Sequence, residues 1–121
     1  MPGTRKILII DDEIDLCLLL KNYFLRKNYE VYISHSLAEG LSAIDSFHPT
    51  LLFLDNNLPD DQGWEAAPAI ANKNPNIYIV LTSAFHPSMP AMPKGSNYIV
   101  IEKPIRIADL DKQLEDIAIL S

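Results

Sequence analysis

Apolar residues gather in five short runs: Ile7 to Ile10, Val31 to Ile33, Leu51 to Leu54, Ile77 to Leu81 and Tyr98 to Ile101. They are rich in Ile, Val and Tyr, and most are continuous rather than alternating, as in strands covered on both faces of a parallel sheet. Between the runs the spacing turns helical. Leu16, Leu20 and Phe24, with Leu19 and Tyr23 beside them, predict a helix from about Ile14 to Lys27. Ser36 followed by Glu39 forms a capping box, after which Leu37, Leu41 and Ile44 share a face until His48-Pro49. A weaker third helix is expected after Gly63, carrying Trp64, Ala67 and Ile70, with Pro68 tolerable only in the first turn. Ile107, Leu110, Leu114 and Ile117 are spaced for a last helix. The alternation of strand and helix predicts an α/β fold.

One interval breaks the alternation. Where a helix belongs between Leu81 and Tyr98, the chain places Pro87, Pro90 and Pro93. Each interior proline costs a helix about 3 kcal/mol, and the residue before it is pushed out of the helical region. An irregular segment with at most one helical turn is expected, in which Met89 and Met92 form an adaptable contact strip or belong to a loop that is merely variable.

Composition narrows the class. At 121 residues, 48% hydrophobic and 21% charged, the chain fits one domain able to bury a core without disulfides. The single cysteine, Cys17, lies in an apolar run and reads as core filler suited to a reducing compartment. A net charge of -6 opposes direct binding of nucleic acid. The longest apolar runs are about five residues, far short of the roughly 18 that span a bilayer. Ile7 to Ile10 is too short for the apolar region of a signal peptide. A soluble, cytoplasmic protein without membrane contact is expected. Leu18 and Leu25 fall off the buried stripe of the first helix and are expected to pack on a neighbouring element rather than on a partner.

In an open parallel sheet, ligands bind beyond the carboxyl ends of the strands. Asp11-Asp12-Glu13 follows the first run, Asp55-Asn56-Asn57 the third, Thr82-Ser83 the fourth and Lys103-Pro104 the fifth. One rim thus collects carboxylates, a hydroxyl and an ammonium. Crowded carboxylates repel, and a bound cation relieves them; hard oxygen ligands suit Mg²⁺. With a metal and Lys103 beside it, Asp55 is a candidate nucleophile on phosphorus, and the charge of the resulting aspartyl phosphate would be shared by both. Singly, each residue is ordinary: Asp55 a turn former, Asp11 to Glu13 an acidic helical turn, Thr82 a strand residue, Lys103 a solvated charge. Their coincidence at successive strand ends is what points to chemistry.

These segments give the chain a resemblance, along its whole length, to the receiver domains of two-component response regulators. Lys6-Ile-Leu-Ile-Ile-Asp-Asp-Glu13, Leu54-Asp-Asn-Asn-Leu-Pro-Asp-Asp-Gln-Gly63, Val80-Leu-Thr-Ser83 and Lys103-Pro104 carry it. The resemblance implies a flavodoxin-like (CheY-like) three-layer sandwich, with a five-stranded parallel sheet in the order 2-1-3-4-5. It implies one receiver domain over residues 1–121, without an output domain. Asp55 would accept a phosphoryl group from the phosphohistidine of a sensor histidine kinase or histidine phosphotransfer protein. Asp11, Asp12, Asp55 and the backbone carbonyl of Asn57 would hold Mg²⁺, with Mn²⁺ as the alternative ion. Thr82 would hydrogen-bond the phosphoryl oxygen, Lys103 would pair with it, Ser83 would leave room for it, and Pro104 would follow a bond that is often cis. Catalysis would extend at most to the chain's own phosphorylation and dephosphorylation. Output would go to a downstream protein or an excised output domain, from a monomer or weak dimer.

Two departures qualify the resemblance. The family's aromatic switch residue, three positions before the lysine, is replaced by Val100; Tyr98 stands five before, expected on the same side but one pleat farther away. The proline-rich interval occupies the place of a helix central to the family's output face. The alternative function is a receiver-like binding module that signals through this surface without phosphorylation. Other classes fit poorly. A haloacid-dehalogenase-type phosphatase needs a second Asp where Asn57 stands, and a flavodoxin-like electron carrier needs a phosphate loop where Asp11-Asp12-Glu13 stands.

Overall fold

The computed structural model describes residues 5–85 and 87–115. Five strands, β1 (Lys6–Ile10), β2 (Glu30–Ser34), β3 (Leu51–Asp55), β4 (Tyr78–Ser83) and β5 (Tyr98–Glu102), form one sheet in the order β2-β1-β3-β4-β5. Every pairing is parallel. The helices are α1 (Ile14–Leu25), α2 (Leu37–Phe47), α3 (Ala67–Lys73), which a 3-10 turn over Gly63–Ala66 precedes, and α4 (Ile107–Leu114). None is long and apolar enough to cross a membrane.

Side-chain alternation along the strands sorts the core into two layers. Ile7, Ile9, Leu51, Phe53, Val80 and Ile101 pack against α1 and α4, which contribute Leu16, Leu20, Phe24, Leu110 and Leu114. Leu8, Ile10, Leu52, Leu54, Ile79 and Leu81 pack against α2 and α3. Burial on both faces explains the continuous apolar runs, because no strand position on β1 or β3 beyond Lys6 meets bulk water.

The helix ends follow local chemistry. After α1, Asn28 N–H donates to Leu25 O and Tyr29 N–H to Phe24 O, with Asn28 in the left-handed region at φ 67°. This pair of bonds is a Schellman stop, and it carries the helical path to Lys27 as expected. Leu19, expected beside the buried stripe, is instead 51% exposed: it falls outside the arc set by Leu16, Leu20 and Phe24. Leu18 and Leu25 are exposed as well, so the expected packing of these two on a neighbouring element does not occur. The capping box forms, Glu39 N–H donating to Ser36 Oγ at 3.2 Å. Leu41 is partly exposed on the rim of the α2 face. Pro68 lies in the first turn of α3, where its missing N–H is not needed. Ile117 lies outside the described residues.

Between β4 and β5 the described residues form no helix. Met92 N–H donates to Pro90 O, and Ser96 donates to Pro93 O from both its N–H and its hydroxyl. Gly95 takes φ 85°, a backbone state that favours glycine. The register sets Tyr98 beside Ile79 and Val100 beside Leu81, hence on the α2/α3 side of the sheet. With no helix over them there, they remain 36% and 46% exposed. Met92 packs against the core, whereas Met89 is exposed.

Candidate functional site

The strand order reverses at β1, whose two neighbours are β2 and β3, and the polar rim lies beyond the carboxyl ends beside that point. Asp55 is the last residue of β3 and pairs in register with Thr82 of β4. Asp11 follows β1 directly; its backbone N–H donates to Ser34 O, and its Oδ1 accepts the Glu13 N–H at 2.9 Å. The Asp11 carbonyl accepts from the Cys17 thiol at 3.4 Å and lies 3.0 Å from His35 Nδ1. Lys103 follows β5, anchored by its N–H donating to Ser83 O, and precedes Pro104 through a cis bond.

These anchors converge three chain segments on one ammonium. Lys103 Nζ lies 3.1 Å from Asp11 Oδ2, 3.3 Å from Asp55 Oδ1 and 3.4 Å from Glu13 Oε2. Asp11, Asp55 and Thr82 are buried, while Asp12 and Asn57 are exposed at the mouth. Burial, then the Asp11 charge, pushes the Asp55 carboxyl up to about 6 against the pull of Lys103. Burial also raises Asp11, opposed by the Glu13 N–H and Lys103. Burial disfavours the Lys103 ammonium, but the Asp11, Asp55 and Glu13 carboxylates outweigh it and raise its pKa. Cys17 is pushed up to about 12 by burial and by Asp11, which makes it an inert thiol filling the core.

The donor set suits a hard cation. Asp11, Asp12 and Asp55 each offer one oxygen, all within 4.8 Å of one another, against the single positive charge of Lys103. Asp55 Oδ1 is buried and accepts no aligned hydrogen bond, although Lys103 Nζ is near. Oxygen-only donors with surplus negative charge and a free buried lone pair fit Mg²⁺.

The family model for the response regulator receiver domain matches residues 7–115. The chain belongs to this family. Similar proteins include the regulatory protein VanR of Enterococcus faecium, 35% identical over 65% of this chain and 34% of that protein. Sporulation initiation phosphotransferase F of Bacillus subtilis is 26% identical over 68% of this chain and 66% of its own length. The chemotaxis protein CheY of Listeria monocytogenes is 26% identical, covering 93% and 98%. The chain therefore spans about a third of the first relative, about two thirds of the second and nearly all of the third. Among solved structures, a two-component response regulator from Clostridium difficile superposes with a TM-score of 0.78 at 25% identity, covering 95% of this chain and 99% of that one. The response regulator TrrA of Thermotoga maritima, solved in complex with Mg²⁺-BeF, gives 0.77 at 25% identity, covering 93% and 97%.

Within this receiver domain, Asp11, Asp12, Asp55, Thr82 and Lys103 meet at one rim. Ser83 is buried beside them, its hydroxyl donating to Phe85 O and accepting from Phe85 N–H. Tyr98 does not join them. It sits three register positions before Thr82's partner Ile101, about 10 Å down the strand. Three further residues shape the rim. Glu13 completes the Lys103 cluster, a role its place beside Asp11 and Asp12 hints at. Trp64 Nε1 donates to Leu54 O and Thr82 O, tying the ends of β3 and β4 together. Gly63 approaches the Asp55 backbone so closely that a Cβ there would overlap the Asp55 carbonyl oxygen, which gives the glycine of the Leu-Pro-Asp-Asp-Gln-Gly run its physical reason.

Proposed function

We propose that this receiver domain is a phosphorylation switch whose acceptor is Asp55. The observation that carries the reading is the buried Asp55 carboxylate, 3.3 Å from Lys103 Nζ and grouped with Asp11 and Asp12. Receiver domains interact with histidine kinases or phosphotransfer proteins, and one of these would present a phosphohistidine at the rim. An Asp55 oxygen attacks the phosphorus, so that an O–P bond forms as the P–N bond breaks. The electron pair stays on the imidazole nitrogen, which then takes a proton from solvent. Near neutral pH Asp55 is mostly ionised and therefore nucleophilic. Lys103 moves little charge out of place in pairing with the new phosphoryl oxygen, and the Thr82 hydroxyl donates to another. Asp11, Asp12, Asp55 and the Asn57 carbonyl would hold Mg²⁺, or Mn²⁺ in its stead. Bound there, the ion supplies positive charge to phosphoryl and carboxylate oxygens that otherwise repel. Residues 7–115 act as one receiver unit, and its output is a changed contact with another protein surface.

The test is incubation with acetyl phosphate and Mg²⁺, followed by intact-mass measurement. A phosphate increment is expected in the native chain and none in Asp55→Asn. A native chain that gains no phosphate would reject the reading. Phosphorylation that leaves partner affinity unchanged would instead favour the phosphorylation-independent module.

A further inference from the structure

We infer that Asp60 is a positioning residue: by bonding the first amides of α2, its carboxylate fixes the β3–α3 loop that carries Asn57. Its Oδ1 accepts the Leu37 N–H at 2.8 Å and its Oδ2 accepts the Ala38 N–H at 2.9 Å. The next amide, Glu39 N–H, is taken by Ser36. The three leading N–H groups of α2 are thus satisfied by two side chains, one of them reaching across from another loop. An ionised acceptor at a helix start forms strong, charge-assisted bonds, and backbone donors hold the Asp60 carboxyl below the usual carboxylate range.

The rest of the loop explains why this hold matters. Leu58 N–H donates to Asp61 O, Gln62 N–H to Asp61 Oδ1 and Gly63 N–H to Asn56 O, while Asn57 bridges Gln62. These bonds close the loop on itself and on the end of β3. Leu58 packs against the core, but packing alone leaves the exposed tip free to rock. Two bonds from one planar carboxylate to neighbouring amides remove that freedom, and Asn57 lies only three residues before Asp60. Partners that orient a ligand matter to a metal site almost as much as the ligand itself.

The inference rests on the proposed role of the Asn57 carbonyl as a metal ligand, and the test separates the two. Asp60→Ala and Ser36→Ala each remove capping bonds from the same helix, but only the first releases the loop. Mg²⁺ is titrated against the fluorescence of Trp64, the chain's one tryptophan. Asp60→Ala is expected to raise the Mg²⁺ dissociation constant about tenfold, the low end for residues that orient metal ligands. Its phosphorylation by acetyl phosphate should be slow at subsaturating Mg²⁺ and recover at saturation, with Ser36→Ala close to the native chain throughout. Amide exchange at Leu58 and Gly63 should quicken in Asp60→Ala alone, a readout that needs no metal. A native chain that binds no Mg²⁺ would remove the Asn57 role, while exchange still decides whether Asp60 holds the loop. Equal effects of the two variants on Mg²⁺ affinity would overturn the inference, as would loop exchange or Mg²⁺ affinity unchanged in Asp60→Ala.

Discussion

Replacing Asp55, the proposed acceptor, by its neutral isostere should make the fold more stable. Asp55 is 2% exposed, and burial together with the Asp11 charge raises its pKa from 3.8 to about 6. An acid whose pKa is higher folded than unfolded weakens the fold when ionised. That cost is full above about 6, shrinks between 6 and 3.8, and is absent below. The rise of about two pH units corresponds to about 3 kcal/mol. That figure is already net of the attraction to Lys103, and an Asn amide replaces the neutral acid only approximately, so Asp55→Asn should gain about 1–3 kcal/mol at pH 7.5. Urea unfolding in EDTA measures it: with a slope of about 2 kcal/mol/M, the midpoint should rise by roughly 1 M. At pH 4 the two chains should nearly coincide, and at pH 7.5 added Mg²⁺ should narrow the gap. The reasoning is refuted if Asp55→Asn is no more stable than the native chain at pH 7.5, or if its advantage persists undiminished at pH 4.

Lys103→Ala strands the Asp11 and Asp55 carboxylates; a loss of up to about 3 kcal/mol is expected by urea unfolding at pH 7.5, partly recovered in the double variant with Asp55→Asn. Gly63→Ala must displace the loop or the Asp55 carbonyl, so a loss of about 1–3 kcal/mol with slower acetyl phosphate labelling is expected; native stability would contradict the close approach. Trp64→Phe removes the N–H shared by Leu54 O and Thr82 O, and circular dichroism should report about 1–3 kcal/mol of lost stability.

Much of the site could be read in the sequence because its parts are tied to strand ends. A continuous apolar run marks a strand, and the first polar residues after it must lie at the rim, which places Asp11, Asp55 and Thr82 directly and Lys103 one residue beyond Glu102, without knowledge of any contact. The Ser36–Glu39 cap could be read for a similar reason, since both partners lie within one turn. Asp60 was hidden, because its donors are 22 and 23 residues away and its neighbours in sequence suggest only a turn. The Trp64 ring N–H was hidden too: periodicity assigns the indole to the core and says nothing of the carbonyls it joins. Leu19 misled because a stripe drawn on one helix does not reveal where the neighbouring layer ends. Tyr98 and Val100 could be placed on the same side of β5, but their exposure depends on what the proline-rich interval leaves uncovered.

Pro87, Pro90 and Pro93 also act where no contact can be drawn, on the denatured chain. Each fixes its own φ and narrows the choices of the residue before it, so less conformational entropy is lost when the segment orders. At a compatible site such a proline is worth about 0.4–1 kcal/mol. Among the described residues of the segment, backbone hydrogen bonds run from Met92 to Pro90, from Ser96 to Pro93 and from Ile79 of β4 to Asn97. Its shape is thus specified as much by the scarcity of alternatives as by attraction. A version with alanines at the three positions keeps every backbone hydrogen bond of the segment and is still less stable, in part because its denatured state has more conformations to occupy.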